Sequence, residues 1–184
     1  MTPIQTLILT LTQYHRLIAE GYFPPDERVE LIAGQLQFMS PQGTRHTVCC
    51  MNLLQLLIPR LPTEWRLRCQ DPITLLDESE PEPDMVIVKT GNYLTAHPTP
   101  GDIILIIEIA DTSLAYDREI KAMLYAQAGI SNYWLINLVD NQLEVFTKPH
   151  QKGYPSPAIH RPEQVISLPN TTVNFPLAPL FPTA

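Results

Sequence analysis

The amino-acid sequence predicts an α/β chain of the α+β kind, a mixed sheet flanked by helices. Three observations carry this. Apolar residues recur at helical spacing in two places, from Val48 to Ile58 and from Ile120 to Ala128. Between them lie short runs rich in Ile, Val and Leu, punctuated by Pro, Asp and Gly, which read as strands. From Arg45 to Leu138 the order is therefore helix, three or four strands, helix, strand. The last helix joins its two strands closely, so these should run parallel through a right-handed crossover, while the short connection from Val88 to Asp102 favours an antiparallel pair.

Taken in order, Thr10 and Gln13 have capping-box spacing ahead of Tyr14, Leu17 and Ile18, which predicts a short helix from Leu11 to Glu20 that stops near Gly21. Val29 and Leu31, then Leu36 and Phe38, alternate on either side of Ala33-Gly34 and predict a hairpin with a two-residue turn. After the Pro41-Gln42-Gly43 loop, Val48, Met51, Leu54, Leu57 and Ile58 mark the first core helix, ended by Pro59 and Pro62. Trp65–Cys69, Ile73–Leu76, Met85–Val88 and Asp102–Ile109 are strand-like. Tyr116–Ala128 is the second core helix, closed by Gly129. Tyr133–Leu138 and Leu143–Phe146 form a hairpin around Asp140-Asn141. The chain after Lys148 is Pro-rich, with weak strands.

The composition narrows the function classes. A chain of 184 residues, 45% hydrophobic and 17% charged, buries about 70% of its unfolded surface and can hold a real core. Its 19 prolines are scattered rather than clustered, so they indicate loops and not a disordered tail. The 12 basic and 19 acidic residues give a formal charge of −7, which argues against coating nucleic acid by bulk attraction but leaves room for a local basic groove. Ile103–Ile107 is too short a run to span a bilayer, and Met1–Gln13 lacks the pattern of a secretory signal. Cys49, Cys50 and Cys69 are odd in number and lack metal-ligand spacing. No membrane association is expected, and the reducing cytoplasm is the expected compartment.

Three charged residues stand where apolar ones belong. Ile103–Ile109 reads as a central strand covered on both faces, yet Glu108 interrupts it. A carboxylate there needs a partner or a cation. If Met85–Val88 pairs antiparallel with this strand, for example with Val88 opposite Ile104, Asp84 falls opposite Glu108. Directly opposed side chains lie about 5 Å apart, where like charges repel and a divalent cation reverses the sign. An all-oxygen donor set suits magnesium or manganese better than zinc. The plain alternative is that Asp84 is a solvated member of the acidic stretch that begins at Asp77.

On the following helix, Asp117 and Lys121 share the side of the stripe Ile120, Met123, Leu124 and Ala128. An ammonium held beside carboxylates could position a water or help deprotonate it. Against this stands a simple i,i+4 ion pair between Asp117 and Lys121, worth about 0.3–0.5 kcal/mol.

Pro83-Asp84, Ile107-Glu108-Ile109, Asp117, Lys121, Tyr125, Ala128-Gly129 and Tyr133-Trp134 together resemble the Uma family of putative restriction endonucleases, in the PD-(D/E)xK nuclease superfamily. The resemblance extends upstream through Val29-Glu30-Leu31, Met39-Ser40-Pro41 and His46 to Gln70. It implies a restriction-endonuclease-like core of helix, three strands, helix and strand, and metal-dependent cleavage of DNA to 5′-phosphate products. On that basis residues 1–184 form one such domain, with an N-terminal helix and hairpin over 1–44, a catalytic core over 45–147 and a Pro-rich extension over 148–184. Asp84 and Glu108 would hold magnesium, or manganese, and Lys121 would be the lysine. The superfamily pattern expects that lysine two residues after Glu108, where this chain has Ala110, so the helix would supply it.

Supporting candidates are Glu30, His46, Gln70 and Asp117. Glu30 could add a carboxylate, although an exposed strand position beside Arg28 explains it as well. His46, at a helix start beside Arg45, could contact phosphate, shuttle a proton or simply cap. Gln70 could line the metal site or be an ordinary edge residue. Trp134 reads as core, while Tyr116 and Tyr125 are open between core and base stacking. Arg16, Arg28, Arg45 and Arg66 are too dispersed to mark a DNA groove.

The leading expectation is a magnesium-dependent DNA endonuclease that pairs as a homodimer to reach two strands. One alternative is a catalytically inactive module of the same fold that binds nucleic acid or protein, which Ala110 and the acidic charge favour. Another is an acidic interaction domain in which the three charges form a structural network.

Overall fold

A computed structural model describes residues 7–75 and 78–182. Leu76, the end of one expected strand, and Asp77 of the acidic stretch lie outside them. The fold is a mixed α+β arrangement around a six-stranded sheet.

Helix α1 (Leu11–Ala19) starts with the expected capping box, Thr10 and Gln13 satisfying each other's backbone N–H groups. Tyr14 is its buried residue, and its hydroxyl donates to the Val29 carbonyl at 2.6 Å. That bond ties α1 to a hairpin of β1 (Val29–Ile32) and β2 (Gln35–Phe38). Ala33 and Gly34 both have positive φ, 49° and 73°, as a two-residue turn matched to strand twist requires.

Helix α2 (Thr44–Leu57) continues into a 3-10 turn, Ile58–Arg60. Its inward face corrects the expected stripe. His46, Cys49, Leu53 and Leu57 are buried, whereas Val48, Met51 and Ile58 are exposed. The helix carries apolar residues on two faces, so periodicity alone could not choose between them. The pairing of His46 with Asp84 belongs to the face that won.

The main sheet runs in the order β3 (Trp65–Cys69), β4 (Met85–Lys89), β5 (Ile103–Ala110), β6 (Asn132–Asn137), β7 (Gln142–Thr147) and β8 (Ala158–His160). As expected, β4 and β5 are antiparallel and β5 and β6 parallel. The exact register differs: Val88 faces Ile103, not Ile104, because a bulge leaves Ile104 unmatched between Leu105 and Ile103. Beyond Ile87 the pairing is regular to Met85 opposite Ile107, which still brings Asp84 alongside Glu108. Ile73–Leu75 is not a strand. Ile73 and Thr74 give their N–H groups to the Pro81 and Pro98 carbonyls, loop partners that a ladder cannot share.

Core residues cover both faces of the sheet. On one, Met85, Ile87, Leu105, Ile107, Ile109 and Trp134 meet α2 and the C-terminal Phe175, Leu177, Leu180 and Phe181. On the other, Val86, Val88, Ile106, Ala110 and Tyr133 meet Ala122 and Tyr125 of the second helical segment. The Pro-rich end therefore completes the core, with β9 (Val165–Ser167) and β10 (Asn174–Pro176) forming a ribbon beside it. By the two-residue alternation of a strand, Glu108 falls on the face of Ile106 and Ala110, towards that second helix.

The second helix is interrupted. Helix α3 (Leu114–Tyr116) passes into a π-helical turn (Asp117–Lys121) and then α4 (Ala122–Gln127), closed near Gly129 at φ 78°. The expected stripe is again corrected: Ile120 and Met123 are largely exposed, while Asp117, Lys121, Ala122, Tyr125 and Ala126 are buried. The Ala122 N–H reaches the Asp117 carbonyl, a five-residue step that shifts the face by about one position. No described helix is long and apolar enough to cross a membrane, and the cysteines are free thiols.

At the hairpin turn a Cβ on Gly34 would lie 2.3 Å from the Ile8 side chain and 3.0 Å from the Leu9 carbonyl oxygen, on backbone that L-residues avoid. Gly34→Ala should lower stability by about 1–3 kcal/mol, read from the urea unfolding midpoint; an unchanged midpoint would contradict the turn geometry.

Candidate active site

A cavity of about 440 Å³ opens between the hairpin, the start of α2, the ends of β4 and β5, and the interrupted helix. Its floor is built from the two strands. Asp84 precedes β4, and Glu108 lies near the end of β5. Their backbones and side chains interlock: the Asp84 N–H donates to Glu108 Oε2 at 3.1 Å, and the Ile109 N–H donates to Asp84 Oδ2 at 2.8 Å. Each carboxylate is thus fixed by the other's strand.

Glu108 is 2% exposed. Its Oε1 accepts from Lys121 Nζ at 3.0 Å and from the Tyr125 hydroxyl at 2.7 Å. Burial drives the Glu108 carboxyl above the usual carboxylate range, with Lys121 pulling the other way. For Lys121, burial works against the charge, yet the surrounding carboxylates of Glu108, Glu30 and Asp117 outweigh it and raise its pKa. That balance favours the charged form of the lysine, which suits the positioning role.

Glu30 overturns its expected exposure. It is buried, and its Oε2 lies 3.3 Å from Lys121 Nζ while accepting the Glu82 N–H at 3.1 Å. The hairpin thereby reaches the strand and helix charges directly. Like Glu108, Glu30 interrupts an apolar strand, Val29-Glu30-Leu31-Ile32, and that interruption was the signal available in the sequence.

His46 projects from the first turn of α2, and its Nε2 lies 2.9 Å from Asp84 Oδ2. Asp117 makes no ion pair within 4 Å of Lys121, so the simple i,i+4 reading falls. Instead it accepts from the Ser113 hydroxyl at 2.5 Å, and burial, opposed by Lys121 and Ser113, raises its pKa to about 6. Gln70 stands outside the cavity lining. It accepts from Arg28 Nη1 at 3.3 Å and backs the Pro83-Asp84 segment through its N–H. Trp134 is core, as expected. Tyr125, open between two readings in the sequence, is buried against Glu108. Its spacing of four residues from Lys121 on one helix face would have found it.

The cavity is acidic. Arg28, the arginine that lines it, bonds to Glu82 at 2.7 Å, and the lining carboxylate of Asp111 lies 3.6 Å from Arg45. Among the described residues no three His, Cys, Asp or Glu side chains gather closely enough to hold a metal ion between them. Among the described residues Asp84 Oδ1 has only a long 3.4 Å contact with the Gln42 amide, and Glu108 Oε2 accepts only the one N–H. Both oxygens keep lone pairs for a further partner.

The model of the Uma2 family, described as putative restriction endonuclease, matches residues 11–179. Among solved structures, the chain is similar to a putative nuclease belonging to DUF820 from Anabaena variabilis ATCC 29413. The identity is 17%, the TM-score 0.73, and the match covers 94% of this chain and 97% of that one. A comparison with curated proteins finds no match.

Replacing Lys121 with Met would leave Glu108 and Glu30 buried without their countercharge. The expected loss is about 3–5 kcal/mol at neutral pH. A carboxyl whose folded pKa lies above its unfolded value contributes stability below the unfolded value and loses it as pH rises through the folded one. Lys121→Met should therefore be less damaging at pH 5 than at pH 8 in urea unfolding. An equal loss at both would show that the ammonium does not hold these charges.

Proposed function

Because this chain belongs to the Uma2 family, described as putative restriction endonucleases, we propose that it is a DNA endonuclease that hydrolyses phosphodiester bonds with magnesium, or manganese, held by Asp84 and Glu108. The family description supports nuclease function in general. The observation that carries the finer reading is the interlocked pair of carboxylates with Lys121 bonded to one of them.

The donor set fits such an ion. Asp84 Oδ1 and Glu108 Oε2 supply hard oxygens, and two carboxylates with water and phosphate completing the shell is how magnesium is commonly bound. When bound, the cation would neutralise charge developing on the phosphate and lower the pKa of a water.

The remaining work falls to side chains already placed. Lys121 directs its ammonium from a fixed position between Glu108 and Glu30, where it orients an attacking water or a phosphate oxygen. Supplied from the helix, it occupies the role that Ala110 cannot. His46 holds the Asp84 carboxylate and Tyr125 holds that of Glu108, so neither can swing away as substrate enters. Two copies acting together would bring one such site to each strand of a duplex.

The test is cleavage of supercoiled plasmid with magnesium or manganese supplied or chelated. Nicking should require the ion and fall at least about a hundredfold in Asp84→Ala, Glu108→Ala and Lys121→Ala. Calorimetric titration of magnesium should show binding lost in the first two. A wild type that binds no ion and cuts nothing would favour the non-catalytic module instead. Light scattering of the free protein reports whether it pairs.

A further inference from the structure

Tyr116 ends α3, immediately before the π-helical turn, and lines the same cavity as Asp84, Glu108 and Lys121. Its hydroxyl oxygen is buried, yet among the described residues it has no hydrogen-bond partner. A buried hydroxyl without a partner is costly and is kept only for a reason. The other tyrosine hydroxyls close to this site differ: Tyr125 bonds to Glu108, and Tyr133 bonds to the Asp117 carbonyl.

The turn explains its direction. In a turn closed by five-residue bonds, residues five apart lie nearly one above the other, so Tyr116 and Lys121 share a face. Lys121 Nζ donates to Glu108 Oε1 and lies 3.3 Å from Glu30 Oε2, so both carboxylates engage its charge. A phosphodiester presents two non-bridging oxygens, and a cation on Asp84 and Glu108 would meet one of them. The other needs a donor in a cavity whose lining arginine, Arg28, is already paired with Glu82. A neutral hydroxyl meets that need without disturbing the charge balance.

We propose that the Tyr116 hydroxyl donates to a non-bridging oxygen of the DNA phosphate held in this cavity, beside Lys121. The proposal rests on the nuclease reading, and the experiment separates them. It compares wild type, Tyr116→Phe and Tyr125→Phe in the affinity of a short duplex oligodeoxynucleotide in calcium, the cleavage rate in magnesium, and Tm.

Tyr116→Phe should keep or raise Tm, since it removes a hydroxyl that serves no partner in the fold, and should weaken DNA binding about ten- to a hundredfold, the value of a hydrogen bond to a charged group. Tyr125→Phe should lower Tm, because its hydroxyl holds Glu108. If Tyr116→Phe binds the oligonucleotide as tightly as wild type, or loses Tm as Tyr125→Phe does, the proposal is overturned. Should wild type bind DNA through Tyr116 but cut nothing in magnesium, the nuclease reading fails and the phosphate contact stands. A wild type that binds no DNA removes both.

Discussion

One buried ammonium sets the arrangement of the whole site. Lys121 lies within bonding distance of Glu108 on the central strand and of Glu30 on the N-terminal hairpin. Taking such charges out of water costs several kcal/mol each, and only close, hydrogen-bonded geometry offsets it. The hairpin, the strand and the helix are therefore fastened to one point, and the cavity is the space left between them. Among the described residues the hairpin pairs with no strand of the main sheet. It is also held by the apolar cluster around Tyr14, Val29 and Leu31, by the bond from Arg28 to Glu82, and by backbone bonds of Leu31 and Gly34 to the 78–80 segment.

Two departures from regular geometry aim the side chains. The π-helical turn inserts one residue, so Asp117, Lys121 and Tyr125 face the sheet while Ile120 and Met123, the apolar choices, turn outward. The bulge at Ile104 lies at the far end of the β4–β5 ladder from the site. The pairing next to Asp84 and Glu108 stays regular, which is what allows each strand to donate an N–H to the other's carboxylate. Irregularity is placed where it reorients a lysine and kept away from where two carboxylates must align.

Charge gives the site its chemical character. Carboxylates of Glu30, Glu82, Asp84, Glu108, Asp111 and Asp117 line the cavity against Arg28 and Lys121, both ion-paired. A phosphate entering such a space would be repelled unless a cation came with it, and the proposed chemistry depends on that ion for entry as much as for reaction. The net charge of −7 points the same way: affinity for a polyanion would have to come from local donors rather than from the overall field.

Much of this was legible in the sequence, and the reasons differ by element. The capping box, the Ala33-Gly34 turn and the five strands from Trp65 to Phe146 follow from local spacing and turn chemistry, which a neighbouring segment seldom overrides. Glu108 and Lys121 stood out because a charge in an apolar run needs a partner whatever the fold. Besides the Ile73–Leu76 strand and the exact β4–β5 register, three features of the site escaped. Helix α2 carries two apolar faces, and only packing chose the one with His46. The stripe of the second helix assumed regular α geometry, which the π turn broke. Glu30 looked exposed because nothing local to the hairpin reveals a cation arriving from a helix some ninety residues later. The sequence by itself determined which residues carry unusual charge and which segments could be helix or strand, since those depend on neighbours in the chain. Tertiary structure alone decided which face turned inward and which carboxylates met Lys121, because desolvation and ion pairing act between groups that only folding brings within a few ångströms.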